Sequence, residues 1–143
     1  MKPPKQIEHI GIAVTDLNQS VEFYTNFLGF KLLGFEHIES EKVRVAFLEI
    51  GETRLELLEA TSSDSPINHF IEKRGEGIHH IAFQVDNVVE RLNFLKEQGI
   101  KLIHEIPKEG AHGNLVAFLN PKSTNGVLLE FCQPRLTDNE ENH

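Results

Sequence analysis

Two histidines and two glutamates occupy matching places in the two halves of this sequence, and together they could bind a metal ion. His9 and His80 each open an apolar run, whereas Glu56 and Glu130 each lie inside a later one. Nitrogen and oxygen ligands without a thiolate suit a divalent ion such as Mn, Fe, Co, Ni or Zn. Four protein ligands leave room in an octahedral shell for water or a bidentate substrate, unlike a closed structural zinc site.

These matching places belong to a longer internal repeat. His9 to Val14 returns as His80 to Val85, Val45 to Leu48 returns as Val116 to Leu119, and Leu55-Glu56-Leu57 returns as Leu129-Glu130-Phe131. A single histidine or glutamate is more often a core residue or an edge charge than a ligand. Recurrence in both halves favours the metal site, because an uncompensated carboxylate would be costly to bury in either apolar run.

The elements that must position these residues follow from the hydrophobic pattern. In the first half, strands are predicted over residues 7–14, 30–36, 43–50 and 54–59, which are rich in β-branched and apolar residues. A helix is predicted after Thr15-Asp16, which can cap it, and Gly29 is a natural stop. Gly51-Glu52 predicts a tight hairpin between the last two strands.

The second half repeats this order. Strands are predicted over residues 78–85, 100–106, 115–119 and 126–132, with a helix between Asp86-Asn87 and Gly99. The predicted organisation is a first module at about 7–60, a linker at 61–76 with a short helix opened by Pro66, a second module at about 77–133, and an acidic tail at 134–143. The expected fold is α+β, with two tandem βαβββ modules forming a paired, curved mixed sheet around a central metal site.

Composition narrows the class of protein. The 143 residues suffice for a hydrophobic core, and the single cysteine excludes an intramolecular disulfide framework. A net charge of −8 argues against a nucleic-acid-binding surface. No apolar run approaches membrane-spanning length and the N-terminus lacks the apolar stretch of a signal peptide, so we expect no membrane association and a cytoplasmic location.

Two further histidines differ in their expected roles. His79 neighbours His80 on the same predicted strand and should therefore point to the opposite face, where packing or hydrogen bonding is the expected role. His112 lies in the segment Gly110-Ala111-His112-Gly113, a glycine-flanked loop that could approach a ligand.

The residues resemble a known family. The paired βαβββ halves resemble the vicinal oxygen chelate superfamily, which is also called the glyoxalase/bleomycin-resistance/dioxygenase fold. Within it, three segments are similar to the methylmalonyl-CoA epimerase family: Ile7-Glu8-His9-Ile10-Gly11-Ile12-Ala13-Val14, Gly77-Ile78-His79-His80-Ile81-Ala82-Phe83, and Pro121-Lys122-Ser123-Thr124-Asn125-Gly126-Val127-Leu128-Leu129-Glu130. The resemblance runs from Ile7 to about Gln133.

The resemblance implies a reaction, the epimerisation of (2R)- and (2S)-methylmalonyl-CoA by proton removal and return at C2 through a metal-stabilised enolate. A base on one face of that carbon and an acid on the other are then needed. It implies that Glu130 is both a metal ligand and one proton-transfer group. The second group is a glutamate in some members, but Val45 stands at that position here. Glu49, His112 or a metal-bound water are the remaining candidates.

The resemblance also implies partners. The acyl-CoA substrate needs contacts, for which Lys122, Ser123 and Thr124 are candidates, with Lys108 and Arg44 or Arg54 as further cations. A plain turn between two strands is the alternative interpretation of residues 121–126. The superfamily implies a homodimer. Rival functions on this fold are a glyoxalase I-like lyase acting on a glutathione hemithioacetal, an extradiol dioxygenase using Fe(II), and a non-catalytic ligand-binding protein.

Overall fold

The computed structural model describes residues 1–135. The acidic tail was predicted for 134–143, so most of that prediction lies outside the described residues. The chain forms two compact units, residues 7–81 and residues 1–6 together with the chain from Ala82 onward.

The unit of residues 7–81 contains most of the first predicted module and the linker helix. Its elements in chain order are β1 (Gln6–Ala13), α1 (Leu17–Asn26), β2 (Lys31–Ile38), β3 (Val43–Ile50), β4 (Thr53–Ala60), α2 (Pro66–Arg74) and the first part of β5 (Gly77–Gln84). Asp16 caps α1, because its Oδ1 accepts a hydrogen bond from the backbone N–H of Gln19 at 3.0 Å. Ser65 caps α2 in the same way, with Pro66 in its first turn.

Strand pairing in this unit gives a mixed sheet in the order β2-β3-β4-β1-β5. β3 pairs antiparallel with β2 and β4 through tight connections, whereas β1 runs parallel to β4. One side of this sheet packs on α1 around a core of apolar side chains, namely Val14, Leu17, Val21, Ala46, Leu48 and Leu57.

The other unit carries the end of β5, α3 (Val88–Glu97), β6 (Lys108–Glu109), β7 (Leu115–Phe118) and β8 (Leu129–Gln133). Its strand order is β5-β8-β7-β6, and both described pairings, β7 with β8 and β6 with β7, are antiparallel. Asn87 caps α3 through the backbone N–H of Glu90 at 3.0 Å. The core consists of Val85, Val88, Leu92, Ala117 and Leu119.

The strand predicted over residues 100–106 is wrong. Leu102 makes only an isolated bridge to Leu119, and regular pairing begins with the two residues of β6. The backbone N–H groups of Ile103 and His104 both donate to the carbonyl of Phe118, and the His104 ring accepts from the Phe118 N–H. The His104 side chain therefore accepts a hydrogen bond that a neighbouring strand backbone would otherwise accept. As a result, residues 100–106 run beside β7 without forming a regular strand.

The last predicted strand is also shorter than expected. It was predicted over residues 126–132, and the structure begins β8 at Leu129, because the preceding residues form a turn in which Asn125 and Gly126 have positive φ. The α+β class with two βαβββ modules is otherwise confirmed. Within residues 1–135, no helix combines the length and the apolar character needed to cross a membrane.

Candidate metal centre

Three of the predicted ligands meet in the unit of residues 7–81. His9 on β1, Glu56 on β4 and His80 on β5 each offer a ligand atom within 4.8 Å of the other two. All three residues are buried. His9 Nε2 lies 3.0 Å from His80 Nε2, and His9 Nδ1 lies 3.1 Å from Glu56 Oε2. The repeat therefore located three residues that share one site.

Strand register and one glycine explain this convergence. β1 and β4 are aligned so that His9 lies opposite Arg54 and Gly11 lies opposite Glu56. Side chains two residues apart on a strand share a face, so His9 and Glu56 project from the same side of the sheet. Gly11 shares this face, and the space that a side chain would fill there is taken by the His80 ring.

The electrostatics of the site favour a neutral His80 ring. Burial, followed by the charges of His9 and His79, holds the pKa of His80 well below its usual value. Burial alone lowers the pKa of His79 to about 4. Because a metal ion binds the deprotonated ring, a histidine that stays neutral near pH 7 is suited to ligation.

His79 packs against its neighbours and also forms a hydrogen bond. Its Nδ1 lies 3.0 Å from His80 Nδ1, and its ring meets Phe70 edge-to-face at 5.1 Å between centroids. The predicted role in packing and hydrogen bonding therefore agrees with these contacts, although the partner is the candidate ligand itself.

Sequence reasoning missed two residues beside this group. Glu8 Oε1 lies 2.7 Å from His9 Nδ1, and Arg54 Nη2 lies 2.8 and 2.9 Å from the two oxygens of Glu8. Burial alone would raise the pKa of Glu8, but the hydrogen bonds and positive charges of His9 and Arg54 outweigh it and lower the pKa to about 2. The sequence did contain one signal for Glu8, a carboxylate inside the apolar run of β1. Because burial of a lone charge is costly, such a residue is expected to have a charged partner.

Glu130, the predicted fourth ligand, lies in the other unit. It is buried on β8 directly opposite Phe118 of β7. Burial lowers the pKa of Lys108 and of His104, and the negative charge of Glu130 opposes the shift in both. Glu130 is thus a buried carboxylate with cationic or protonatable neighbours. Its role as ligand and proton-transfer group stays a prediction.

The candidates for a second proton-transfer group have different surroundings. Val45 is fully buried opposite Leu58, in keeping with an apolar role. Glu49 lies at the end of β3 with a side chain 45% exposed, and Lys31 Nζ lies 3.8 Å from its Oε2. His112 adopts a left-handed conformation with φ 59° and ψ 20°. A non-glycine residue in that region is strained, and such residues cluster at functional sites.

The residues predicted to contact CoA form a turn. Asn120 Oδ1 accepts from the Lys122 N–H at 3.0 Å. Ser123 Oγ donates to the Lys101 carbonyl at 3.0 Å, and Thr124 Oγ1 donates to the Val127 carbonyl at 2.6 Å. Both hydroxyls therefore stabilise the local backbone. Their contact with CoA stays a prediction.

The donor set fits a divalent ion. Two imidazoles and a carboxylate, all buried and converging within 4.8 Å, match the ligands that Zn, Co, Ni, Mn and Fe accept. His9 Nδ1 also contacts the Glu8 carboxylate, and a carboxylate is a usual outer partner of a histidine ligand. These residues could therefore hold such an ion.

Comparison with known proteins places the chain in a family. The family model described as the glyoxalase/bleomycin resistance protein/dioxygenase superfamily matches residues 8–118. The chain belongs to this superfamily. It is 45% identical over 130 residues to the uncharacterized protein YqjC of Bacillus subtilis (strain 168), covering 91% of this chain and 93% of that protein.

Other members of the superfamily that the chain resembles are isomerases. It is 40% identical over 129 residues to the mitochondrial methylmalonyl-CoA epimerase of Homo sapiens, covering 90% of this chain and 73% of that protein. A crystallographic neighbour is a methylmalonyl-CoA epimerase in complex with methylmalonyl-CoA and NH4+, with a TM-score of 0.87 and 37% identity over 92% of this chain and 95% of that chain. The predicted family is therefore confirmed.

Proposed function

We propose that this protein is a metal-dependent isomerase that interconverts the epimers of methylmalonyl-CoA. The observation that carries the proposal is the similarity to methylmalonyl-CoA epimerases over nine-tenths of the chain. The convergence of His9, Glu56 and His80 supports it, because an epimerase of this kind needs a site for charge stabilisation.

The proposed division of labour follows the chemistry of the substrate. His9, Glu56, His80 and Glu130 would hold a divalent ion, which when bound stabilises the negative charge that develops on the thioester oxygen. Glu130 removes or returns the C2 proton on one face. For the other face we propose His112 over Glu49, because the strained His112 backbone is typical of functional positions and the Glu49 side chain is largely exposed beside Lys31.

Further proposals concern binding and assembly. Lys122 is the proposed cation for the CoA phosphates, with Ser123 and Thr124 in the same turn. The homodimer and the cytoplasmic location stay predictions from the family and the composition. Size-exclusion chromatography with light scattering measures the first of these directly.

Solvent exchange tests the proposed reaction. Protein loaded with Co2+ is incubated with methylmalonyl-CoA in deuterated water, and the label at C2 is measured by mass spectrometry against chelated protein and buffer alone. We expect metal-dependent label. Label absent from the loaded protein, combined with turnover of a glutathione hemithioacetal, would assign the glyoxalase-like activity instead. Failure of purified protein to bind any divalent ion at micromolar concentration would favour a non-catalytic ligand-binding protein.

A further inference from the structure

The orientation of His9 depends on residues that are not themselves ligands. His9 Nδ1 lies 2.7 Å from Glu8 Oε1, and both oxygens of Glu8 accept hydrogen bonds from Arg54 Nη2, which is the contact pattern of an ionised carboxylate. An ionised carboxylate can only accept a hydrogen bond. The proton of this hydrogen bond must therefore be on Nδ1, which leaves the Nε2 lone pair of a neutral His9 ring for an ion.

Arg54 holds the carboxylate in this position. Its Nη2 lies within 2.9 Å of both oxygens of Glu8 and 4.0 Å from Oε2 of Glu56. The guanidinium also lies over the Phe47 ring, 5.5 Å from its centroid, which fixes its plane. The side chains of Glu8 and Arg54 are 12% and 21% exposed, so water competes little for these contacts.

Strand register places Arg54 beside His9, the residue that follows Glu8. Arg54 of β4 is the partner of His9 of β1, and it lies opposite Glu49 of β3. It precedes Glu56 by two residues and so projects from the same face. From this position the Arg54 guanidinium contacts Glu8 and lies close to Glu56. Arg54 was also a candidate contact for the CoA phosphates, and that contact stays a prediction.

We propose that Glu8, clamped by Arg54, is a positioning residue that fixes the ring orientation and tautomer of His9 for metal binding. The proposal rests on the proposed metal site. Outer partners of this kind raise the affinity of a histidine ligand, and their removal commonly weakens metal binding about 10–100-fold.

The first measurement is zinc affinity by calorimetry in wild type, Glu8→Ala, Glu8→Gln and Arg54→Met. We expect Glu8→Ala to weaken zinc binding by about 10–100-fold. Glu8→Gln should have a smaller effect, because its amide oxygen still accepts from Nδ1–H but carries no charge. Asp86→Asn is the matched control, since it removes an exposed ion pair with Lys5 and should bind zinc as wild type does.

The second measurement is the tautomer of His9 by nitrogen-15 NMR of the metal-free protein. We expect Nδ1–H in wild type and, because Glu56 Oε2 still lies 3.1 Å from His9 Nδ1, only a partial shift towards Nε2–H in Glu8→Ala. Unchanged zinc affinity and an unchanged tautomer in the Glu8 variants would overturn the proposal. If Glu8→Ala does not fold, the same comparison is made with Glu8→Gln, which keeps the shape of the side chain. A wild type that binds no zinc would contradict the metal site, whereas the tautomer still reports on Glu8.

Discussion

Gly11 leaves the space that the His80 imidazole fills. A Cβ atom at residue 11 would lie 2.3 Å from His80 Cε1, 2.6 Å from Nδ1 and 2.9 Å from Nε2. All three distances are far below ordinary van der Waals contact. The small residue in the middle of β1 is therefore a requirement of the neighbouring His80 ring rather than of the strand backbone.

The first prediction is that Gly11→Ala displaces His80. The added methyl should cost about 1–3 kcal/mol of stability through overpacking, weaken zinc binding, and lower the exchange rate by about 10²-fold, because a ligand shifted by about 1 Å spoils the reacting geometry. Urea unfolding measures the first effect, calorimetry with zinc the second, and the deuterium assay the third.

Gly51→Ala is the matched control for this variant. Gly51 lies in the β3–β4 hairpin with φ 59°, and among residues 1–135, apart from its two chain neighbours, no atom lies within 4 Å of the position that a Cβ would take there. Alanine in that backbone conformation should cost about 1–2 kcal/mol without touching the site. Equal zinc affinities of Gly11→Ala and wild type would contradict the first prediction.

The residue types and the repeat were enough to single out three residues that the structure brings together, but not the contacts around them. His9, Glu56 and His80 recur by type, and the α+β order follows from hydrophobic period and caps. Glu8 and Arg54 could not be paired from the sequence, because they are 46 positions apart and meet only through the β1–β4 register. The role of Gly11 likewise depends on a ring that arrives from β5.

The error at residues 100–106 has a different physical origin. That stretch has the apolar content of a strand, and its start, Ile100-Lys101-Leu102-Ile103, is similar to Phe30-Lys31-Leu32-Leu33 in the first half. Its pairing is decided instead by one side chain, since His104 Nδ1 accepts the Phe118 N–H at 3.0 Å. The apolar pattern of a segment predicts that it tends to pair as a strand. A polar side chain that competes for the backbone hydrogen bonds can still prevent regular strand pairing.

The second prediction separates the two buried carboxylates. Glu130→Gln should lower the exchange rate by about 10²–10⁴-fold, because an amide cannot transfer the C2 proton. Glu56→Gln should keep most of the exchange activity, since an amide oxygen can still act as a ligand. Zinc affinity, measured beside the deuterium assay, shows whether the loss in Glu130→Gln arises from chemistry or from an empty site. Wild-type turnover in Glu130→Gln would exclude the proposed role.

The third prediction concerns the second proton-transfer group. His112→Asn should reduce epimerisation by about 10²-fold, because asparagine tolerates the left-handed backbone of residue 112 but cannot exchange a proton at neutral pH. Glu49→Gln should have little effect, since its carboxylate is largely exposed beside Lys31. The measurement is the rate of conversion of one epimer, followed by circular dichroism. The opposite order of effects would assign the role to Glu49.

The fourth prediction is a pH dependence of stability that arises at His104. Burial lowers the pKa of His104 below 6.5, although the charge of Glu130 opposes the shift. The folded protein therefore favours the neutral ring, whose Nδ1 accepts the Phe118 N–H. The unfolded chain binds the proton first as the pH falls. The stabilisation from His104 is thus complete above pH 6.5 and is lost as the pH falls through the folded-state pKa.

Urea unfolding between pH 7.5 and about 5, with chelator present throughout, tests this dependence. His104→Asn keeps an acceptor for Phe118 N–H but cannot titrate, so its free energy of unfolding should fall less steeply with decreasing pH than that of wild type. His69→Asn is the control, because His69 lies exposed on α2 and its replacement should leave the wild-type slope unchanged. If His104→Asn and wild type showed the same slope, the neutral His104 ring would not contribute to acid sensitivity, and the irregular segment beside β7 would be held by its backbone hydrogen bonds alone.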